Sequence, residues 1–497
     1  MKNYIYTTLL VASFGFVSCD VNNELDAIPE VIVPEVALTA GSADFSNYVA
    51  VGASFTAGYT DNGVFIAAQE NSFPNILATK FASAGGGTFN QPLMNDNIGG
   101  LLFGGTVIAG PRLYFNGAGP ASLSATPTTE VTNVLTGNFN NMGVPGAKSF
   151  HLLAPGFGSL ANVPLGLANP YFARMASSQT ATVLEDIAAQ NPTFFTISEI
   201  GGNDVLGYAT SGGDGSNPIT PTATFDFAFS TIVNTLTAGG AKGVVANLPY
   251  ITSLAHFTTV PYNAVPLDAA TATALNGAYA AYNGGLQAAA GALAGTGLFS
   301  AEEVAKRTIV FTAGQNAMVI VDESLTDLGA INPAFAALPK YRQATAEDLF
   351  VLPSSAVIGT IVGGNPQLIN GLTVPLADKW VLTPEEQNDI KVATDAYNVT
   401  IEAVASSKGL ALVDFKTLLI DAAANGYVFD EFTMTTSLVT GGLISLDGVH
   451  LTARGYAMMA NEILEAIDAT YGSNFKEATN GLAKAADYPT NYSPSLQ

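Results

Sequence analysis

Cysteine, histidine and basic side chains are all scarce in this sequence. Its 497 residues include one cysteine, three histidines, and 17 lysines and arginines against 40 aspartates and glutamates. A lone cysteine excludes an intrachain disulfide, and so few Cys and His ligands argue against a zinc site. No segment has the oxygen spacing of an EF-hand loop. The formal charge of −23 repels nucleic-acid phosphates. We therefore expect no metal, no cofactor and no nucleic-acid partner.

Long hydrophobic runs are missing beyond the first residues. The apolar run over residues 5–17 follows a single lysine and is too short to span a bilayer, which is typical of a secretory signal peptide. The run ends at Ser18-Cys19, which resembles a bacterial lipoprotein cleavage box. We predict a signal peptide over residues 1–18 and lipidation of Cys19, with an ordinary buried thiol as the alternative. The protein would be exported to the cell envelope, at the outer membrane or cell surface, and would contact membrane only through this anchor.

The rest of the chain is predicted to be a tether followed by one domain. Residues 19–44 contain few aromatic side chains and cannot bury much apolar surface, which predicts a lipidated tether. The segments with chemical promise lie near both ends of residues 45–497, which favours a single domain there over two successive ones. Two stretches, near 85–125 and 261–379, interrupt the pattern of strands and helices. We predict that both are insertions placed over the functional site.

Strand and helix signals alternate through much of this domain. Helical patterns include one that begins with Thr383, Pro384 and Glu386, residue types that predict a capping box with proline at the first helical position. Such alternation predicts an α/β fold, a parallel sheet with helices on both faces and a site at the carboxyl ends of the strands. The predicted strands cover residues 48–51, 194–197, 243–246, 308–311 and 410–413, and the predicted helices 182–189, 225–236, 384–405 and 452–467.

Four short segments carry residues suited to acid–base or nucleophilic chemistry. His450 follows Asp447 by three residues, so the carboxylate can hold one imidazole nitrogen while the other faces a cleft. Ser54 lies in a small-residue turn after the first predicted strand, where backbone N–H groups can stabilise an oxyanion. Asn203 follows two glycines after the second strand and offers two N–H donors, and Gly146 offers an unhindered backbone N–H. Taken singly, each also fits an ordinary cap or turn.

The order and content of these segments resemble the SGNH/GDSL hydrolase family, which is named for one residue in each of four blocks. The resemblance covers roughly residues 46–470, and the layout is similar to large lipoprotein members of the family from Bacteroidetes. It implies a three-layer, flavodoxin-like α/β fold with long loop insertions. The first block departs from the family: Ala53 replaces the usual Asp and Phe55 the usual Leu. The nucleophile stays in place, but the orientation that the Asp supplies is removed.

The resemblance also implies roles for the five candidate residues. Ser54 would be the nucleophile, His450 the base, and Asp447 the acid that orients the base. The backbone N–H groups of Ser54 and Gly146, with the side-chain amide of Asn203, would form the oxyanion hole. The implied activity is hydrolysis of carboxylic esters without a cofactor.

The substrate and the presence of activity stay open at this stage. Acetyl esters of glycans and acyl esters of lipids both fit, and export slightly favours a glycan or another small ester. The alternative is a non-catalytic glycan-binding lipoprotein on a degenerate fold. Arg342 and Asp348 in the second insertion are predicted to form a surface ion pair rather than to contact substrate. Aromatic side chains that suit sugar stacking or acyl packing are Tyr114, Phe115, Tyr250, Phe257 and Trp380.

Overall fold

The computed structural model describes residues 35–497. The predicted signal peptide, Cys19 and most of the predicted tether lie outside these residues. A compact unit extends from Ala37 to Gln497, so it begins before residue 45. Its first residues are held by Asn474: the Thr39 N–H donates to Asn474 Oδ1 at 2.8 Å, and Asn474 Nδ2 donates to the Ala37 carbonyl at 3.0 Å. The last part of the predicted tether is therefore attached to the folded unit.

Five strands form a central sheet. In chain order they are β1 (Tyr48–Gly52), β2 (Asn141–Gly143), β3 (Phe194–Ile197), β4 (Lys242–Ala246) and β5 (Ala411–Val413). Their order across the sheet is β2-β1-β3-β4-β5, and every neighbouring pair is parallel. The predicted parallel α/β sheet is thus confirmed. The order reverses between β1 and β3, which in such sheets opens a crevice at the carboxyl ends of these two strands.

Helices flank the sheet in two groups, an arrangement compatible with three layers. In one group, Phe81 and Tyr471 both pack their rings edge-on against Phe194 of β3. In the other, Phe225 and Tyr397 stack at 4.2 Å. The labelled helices are α1 (Phe73–Ala82), α2 (Val183–Ala188), α3 (Gly202–Thr210), α4 (Thr222–Thr237), α5 (Ala269–Ala292), α6 (Pro384–Lys408), α7 (Phe415–Ala424) and α8 (Ala453–Tyr471), and further helices are Ile66–Glu70, Pro170–Ala173, Ala255–Thr258, Ala301–Arg307 and Leu328–Ile331. No helix within residues 35–497 is long and apolar enough to cross a membrane.

The start of α6 agrees with the sequence. The Thr383 N–H donates to Glu386 Oε2 at 2.7 Å, and the Glu386 N–H points back to Thr383 Oγ1 at 3.5 Å. Pro384 occupies the first turn, where its missing N–H has no intrahelical partner to lose. The predicted capping box is confirmed.

The predicted strand at 308–311 is wrong. Ile309 and Phe311 are buried, as their apolar character suggests, but their backbone groups pair with side chains instead of a neighbouring strand. Asn283 of α5 binds the N–H and carbonyl of Ile309, at 3.0 and 2.8 Å. Asn276, two turns earlier, does the same for Phe311 at 2.8 and 2.9 Å. Two asparagines therefore satisfy the backbone that a sheet would otherwise pair.

The two predicted insertions contribute no strand to the central sheet among the described residues. They form small antiparallel pairs, one of which uses Val381 and Leu382, just beyond the predicted limits. Arg342 and Asp348, predicted as a surface pair, are instead buried, with Arg342 Nη1 and Nη2 each 2.6 Å from an Asp348 oxygen. The small pairs are Leu101–Phe103 with Thr106–Ala109, Leu113–Phe115 with Pro120–Ser122, Val265–Leu267 with Gly314–Asn316, Val319–Val321 with Tyr341–Gln343, Leu349–Phe350 with Val381–Leu382, and, outside the insertions, Tyr427–Phe429 with Phe432–Met434.

Candidate active site

The carboxyl ends of the central strands bring three of the predicted residues to one cavity. Ser54 follows β1, Asn203 lies in the first turn of α3 after β3, and His450 belongs to the loop that precedes α8. All three line the same cavity. Because β1 and β3 are the strands between which the sheet order reverses, the cavity lies where a doubly wound sheet usually binds its ligand.

Asp447 lies behind His450 and orients it. His450 Nδ1 is 2.9 Å from Asp447 Oδ2, while Asp447 Oδ1 accepts the N–H groups of Val449 and His450 at 2.8 and 2.9 Å. Burial opposes ionisation of this carboxyl, but the His450 charge and these hydrogen bonds hold its pKa well below the usual range. An ionised Asp447 can therefore stabilise a protonated His450.

The loop of Asp61 and Asn62, which was not predicted as part of the site, contacts Asp447 and its neighbour Leu446. The Asn62 N–H donates to Asp447 Oδ2 at 2.9 Å, and buried Asp61 accepts the N–H of Leu446 at 3.0 Å. Asp61 and Asn62 both have positive φ, 50° and 63°, which these residue types tolerate better than most. The Leu113 N–H of the first insertion donates to the Asp61 carbonyl at 2.7 Å. The first insertion therefore binds the loop that contacts Asp447.

The side chain of Glu199 binds the turn that carries Ser54. One Glu199 oxygen accepts the N–H groups of Ala53 and Thr56 at 2.5 and 3.2 Å, and the other accepts the hydroxyl groups of Thr56 and Ser198. Removal from bulk water raises the pKa of this carboxyl to about 7. Glu199 was not predicted as a site residue, although it lies only two residues before the Gly201-Gly202 pair that precedes Asn203. It supplies a carboxylate to the turn in which Ala53 lacks one.

Asn203 and Gly146 are linked through the residue after the glycine. Asn203 Nδ2 donates to the Ala147 carbonyl at 3.0 Å, which leaves its second amide hydrogen free. Gly146 is exposed, has a φ of 78°, and is not among the residues that line the cavity. Buried Asp204 fixes the same loop by accepting the N–H and hydroxyl of Ser149, at 2.8 and 2.7 Å.

The groups that would act on a substrate have no competing partners. Within residues 35–497, the Ser54 hydroxyl, the Ser54 and Gly146 N–H groups and His450 Nε2 make no hydrogen bond. Ser54 is 7% exposed, and its hydroxyl is not hydrogen-bonded to His450. Catalytic hydrogen bonds of this kind are commonly long without substrate and tighten when it binds. The Ser54 hydroxyl and His450 Nε2 are therefore both available to a ligand in this cavity.

The rest of the cavity wall is almost entirely apolar. It comes from α3, α7 and α8, from the loop before α8 and from the segments after β1 and β4. No residue of either predicted insertion is among the residues that line the cavity. The five aromatic side chains considered for sugar stacking are absent from the wall as well. Apolar lining residues are Phe55, Val205, Leu206, Leu248, Pro249, Ile251, Leu254, Phe415, Leu418, Leu419, Ala422, Leu443, Ile444, Val449, Leu451, Met458 and Met459.

The other two histidines do not line this cavity. His151 stacks on Phe157 and accepts the Lys148 N–H at 3.1 Å. His256 lies beside the Asp447 loop, where its backbone N–H donates to the Gly448 carbonyl at 2.9 Å, and burial lowers the pKa of its side chain. Of the three histidines, His450 alone faces the cavity that Ser54 lines.

Comparisons with known proteins add no relative. No family model matches the chain, and neither a curated protein nor a solved structure shows significant similarity to it.

Proposed function

We propose that this protein is a serine esterase of the SGNH/GDSL type that hydrolyses acyl esters. The observation that carries the proposal is the convergence of Ser54, Asn203 and His450 on one cavity, with Asp447 holding His450 from behind. Three separate parts of the chain supply these groups. Each has a chemical role in acyl transfer that its position suits.

In this mechanism His450 Nε2 takes the proton of Ser54 as the serine oxygen attacks the ester carbonyl. The negative charge on the carbonyl oxygen is met by the N–H groups of Ser54 and Gly146 and the free amide hydrogen of Asn203. His450 then returns the proton to the leaving alcohol, and an acyl-serine remains. Water, deprotonated by His450, releases the acid and restores Ser54. Asp447 stays ionised throughout and stabilises the imidazolium.

The apolar wall favours an acyl chain over an acetyl group or a glycan. Side chains such as Leu419, Met458 and Met459 offer no hydrogen bonds to sugar hydroxyls, whereas they can remove methylene groups from water. Each buried methylene contributes about 0.8 kcal/mol, which corresponds to roughly fourfold in binding. The proposal therefore replaces the preference for small esters that export alone suggested.

A series of 4-nitrophenyl esters tests this proposal. We expect kcat/KM to rise by up to roughly fourfold per added methylene from acetate onward, until the cavity is filled, and His450→Ala to abolish hydrolysis. Equal rates with all chain lengths would contradict the acyl-chain proposal. No hydrolysis of any ester by folded protein would favour the non-catalytic binding lipoprotein instead.

We also propose that the protein is exported and anchored through a lipid on Cys19. Support comes from the short apolar run and the Ser18-Cys19 junction in the sequence. Metabolic labelling with a palmitate analogue should mark the wild type and leave Cys19→Ser unlabelled. Equal labelling of the two, or none, would contradict this proposal.

A further inference from the structure

Three carboxylates converge far along the chain from the residues of the Ser54 site. Glu323, Asp378 and Glu386 each place one oxygen so that the three atoms lie within 4.8 Å of one another. Glu323 follows the short strand Val319–Val321, Asp378 begins the 3-10 helix Asp378–Trp380, and Glu386 lies in the first turn of α6. Two of these residues belong to the second predicted insertion and one to a helix that flanks the sheet.

Two carboxylate oxygens in this cluster accept no hydrogen bond from an N–H or hydroxyl group within the described residues. Glu386 is 4% exposed, and its Oε2 accepts from the N–H and hydroxyl of Thr383 at 2.7 and 3.0 Å. Its Oε1 is buried and has no hydrogen-bond partner within the described residues. Asp378 Oδ1 is likewise buried and has no hydrogen-bond partner within the described residues. A buried carboxylate oxygen without a donor or a cation is costly, so these atoms point to a missing positive ligand.

The basic side chains near the cluster are engaged elsewhere. Arg342 binds Asp322 and Asp348, and Lys306 lies 3.4 Å from Asp322. Lys340 Nζ donates to the backbone carbonyl of Glu323 rather than to its carboxylate, at 2.8 Å. Lys379 Nζ lies over the Trp380 ring at 4.9 Å. Within residues 35–497, no ion pair neutralises any of the three clustered carboxylates.

The chemistry and spacing of the cluster suit calcium. Calcium binds carboxylate oxygens at about 2.3–2.6 Å, so oxygens on opposite sides of one ion lie about 5 Å apart and neighbouring ones lie closer. A span within 4.8 Å fits around such an ion. Magnesium needs a smaller, more regular octahedral shell, and zinc prefers nitrogen and sulfur ligands. Glu323 is exposed, which leaves a path for the ion and for water ligands.

We propose that Glu323, Asp378 and Glu386 bind one calcium ion that ties the second insertion to α6. Helix α6 packs against α3, the helix that carries Asn203. The ion would therefore join the insertion to the framework behind the oxyanion donors. This role is independent of ester hydrolysis.

Metal content and thermal unfolding of the full chain test the proposal. After treatment with EDTA and desalting, the protein is titrated with CaCl2 or MgCl2, and bound metal is counted after gel filtration. We expect one calcium per chain and a rise in the unfolding midpoint of about 3 °C at one hundred times Kd for a folded unit of this size. Magnesium should bind more weakly and shift the midpoint less.

Two kinds of variant make the result specific. The double variant Glu323→Gln/Asp378→Asn leaves the Glu386 cap of α6 intact, and should lose both the bound calcium and the midpoint shift. Asp389→Asn removes an exposed negative charge from the same helix and should keep both. If the double variant does not fold, Glu323→Gln alone should weaken calcium binding at least tenfold.

Three outcomes would overturn the proposal. One is folded wild-type protein that binds no calcium at millimolar concentration. Another is unchanged calcium binding by the double variant or, where that does not fold, by Glu323→Gln. The third is stability that rises only with acidification and ignores calcium, since this would show that protons rather than a metal neutralise the cluster.

Discussion

The cavity beside Ser54 is lined by two unlike groups of side chains. One group, the polar wall, consists of Ser54, Glu199, Asn203 and His450, which come from loops and a helix start at the ends of β1 and β3 and before α8. The other group, the apolar wall, comes from α3, α7, α8, the loop before α8 and the segments after β1 and β4. This contrast separates chemistry from substrate choice. Changes in the polar wall should act mainly on kcat, and changes in the apolar wall on which acyl chains are accepted.

Within the polar region, two carboxylates with similar surroundings behave differently. Asp447 and Glu199 each accept four hydrogen bonds from neighbouring N–H or hydroxyl groups. Desolvation prevails at Glu199 and raises its pKa to about 7, whereas the direct partner His450 holds the pKa of Asp447 low. Asp447 is therefore suited to balance a positive charge, and Glu199 to fix the position of a turn.

Loss of the Asp447 carboxylate should have the largest effect. Asp447→Asn retains the size of the side chain but cannot stabilise the His450 imidazolium, so we expect kcat to fall about 10⁴-fold. Steady-state hydrolysis of the best ester in the series measures this. Asp421→Asn, an exposed change on α7, is the control and should leave kcat unchanged. A loss of less than tenfold in Asp447→Asn would contradict its proposed role.

Removal of the Asn203 amide should have the next largest effect. We expect Asn203→Ala to lower kcat by about 10²–10³-fold with little change in KM, because the lost donor acts on the transition state. The thermal midpoint shows whether the lost bond to the Ala147 carbonyl has also destabilised the loop. A rise in KM at unchanged kcat would assign Asn203 to substrate binding instead.

The contribution of Glu199 to the Ser54 turn should be smaller. Glu199→Ala leaves the N–H groups of Ala53 and Thr56 without their acceptor, so we expect kcat to fall by about 10–100-fold as the turn loosens. Glu199→Gln keeps an oxygen in place and should recover most of this loss. Equal losses in the two variants would show that the charge, rather than the position of the acceptor, matters.

The raised pKa of Glu199 also predicts how stability depends on pH. The folded chain holds a proton between pH 4.5 and about 7 that the unfolded chain has lost. The stabilisation that Glu199 contributes by holding this proton is fully present below pH 4.5 and is lost as the pH rises through about 7. We therefore expect the free energy of unfolding, measured with urea at several pH values, to change by up to about 3 kcal/mol less between pH 4.5 and 7 in Glu199→Gln than in the wild type. The same pH profile in both proteins would contradict the raised pKa of Glu199.

A change in the apolar wall should have the smallest effect on overall rate. Ala422 lines the cavity from α7, and Ala422→Leu should shorten the acyl chain that gives the highest kcat/KM, lowering the value for longer esters by about tenfold while sparing acetate. Ala423→Leu adds the same volume on the exposed side of the helix and is the matched control. Equal changes for all esters would place the acyl chain elsewhere.

Local patterns predicted much of the sheet and several helices. Strands β1, β3, β4 and β5 agree with their predicted positions to within a residue or two. The first three lie inside the parallel sheet, where short apolar runs are buried on both faces, whereas β5 is an edge strand with Leu412 exposed. Edge strand β2 was overlooked, since Asn141, Met142 and Gly143 look like part of a turn. The false strand at 308–311 shows the converse, an extended apolar segment whose backbone is paired by asparagines of α5.

The site could be predicted only where its residues form short motifs. Asp447 and His450 are three residues apart, and Asn203 follows a Gly-Gly pair, so both segments stand out in the sequence. Glu199 supports Ala53 across 146 residues and Asn62 reaches Asp447 across 385 residues, and no local pattern encodes such contacts. The apolar wall is equally hidden, because its leucines and methionines look like ordinary core residues until the chain is folded.

A fluorophosphonate probe tests the central claim most directly. The purified protein and its Ser54→Ala variant are treated with the probe, and the intact mass of each is measured. We predict a single adduct on the wild type and none on the variant, because only a serine activated by His450 reacts at a useful rate. Folded wild-type protein that forms no adduct, or an adduct that persists in Ser54→Ala, would contradict the assignment of Ser54 as the nucleophile.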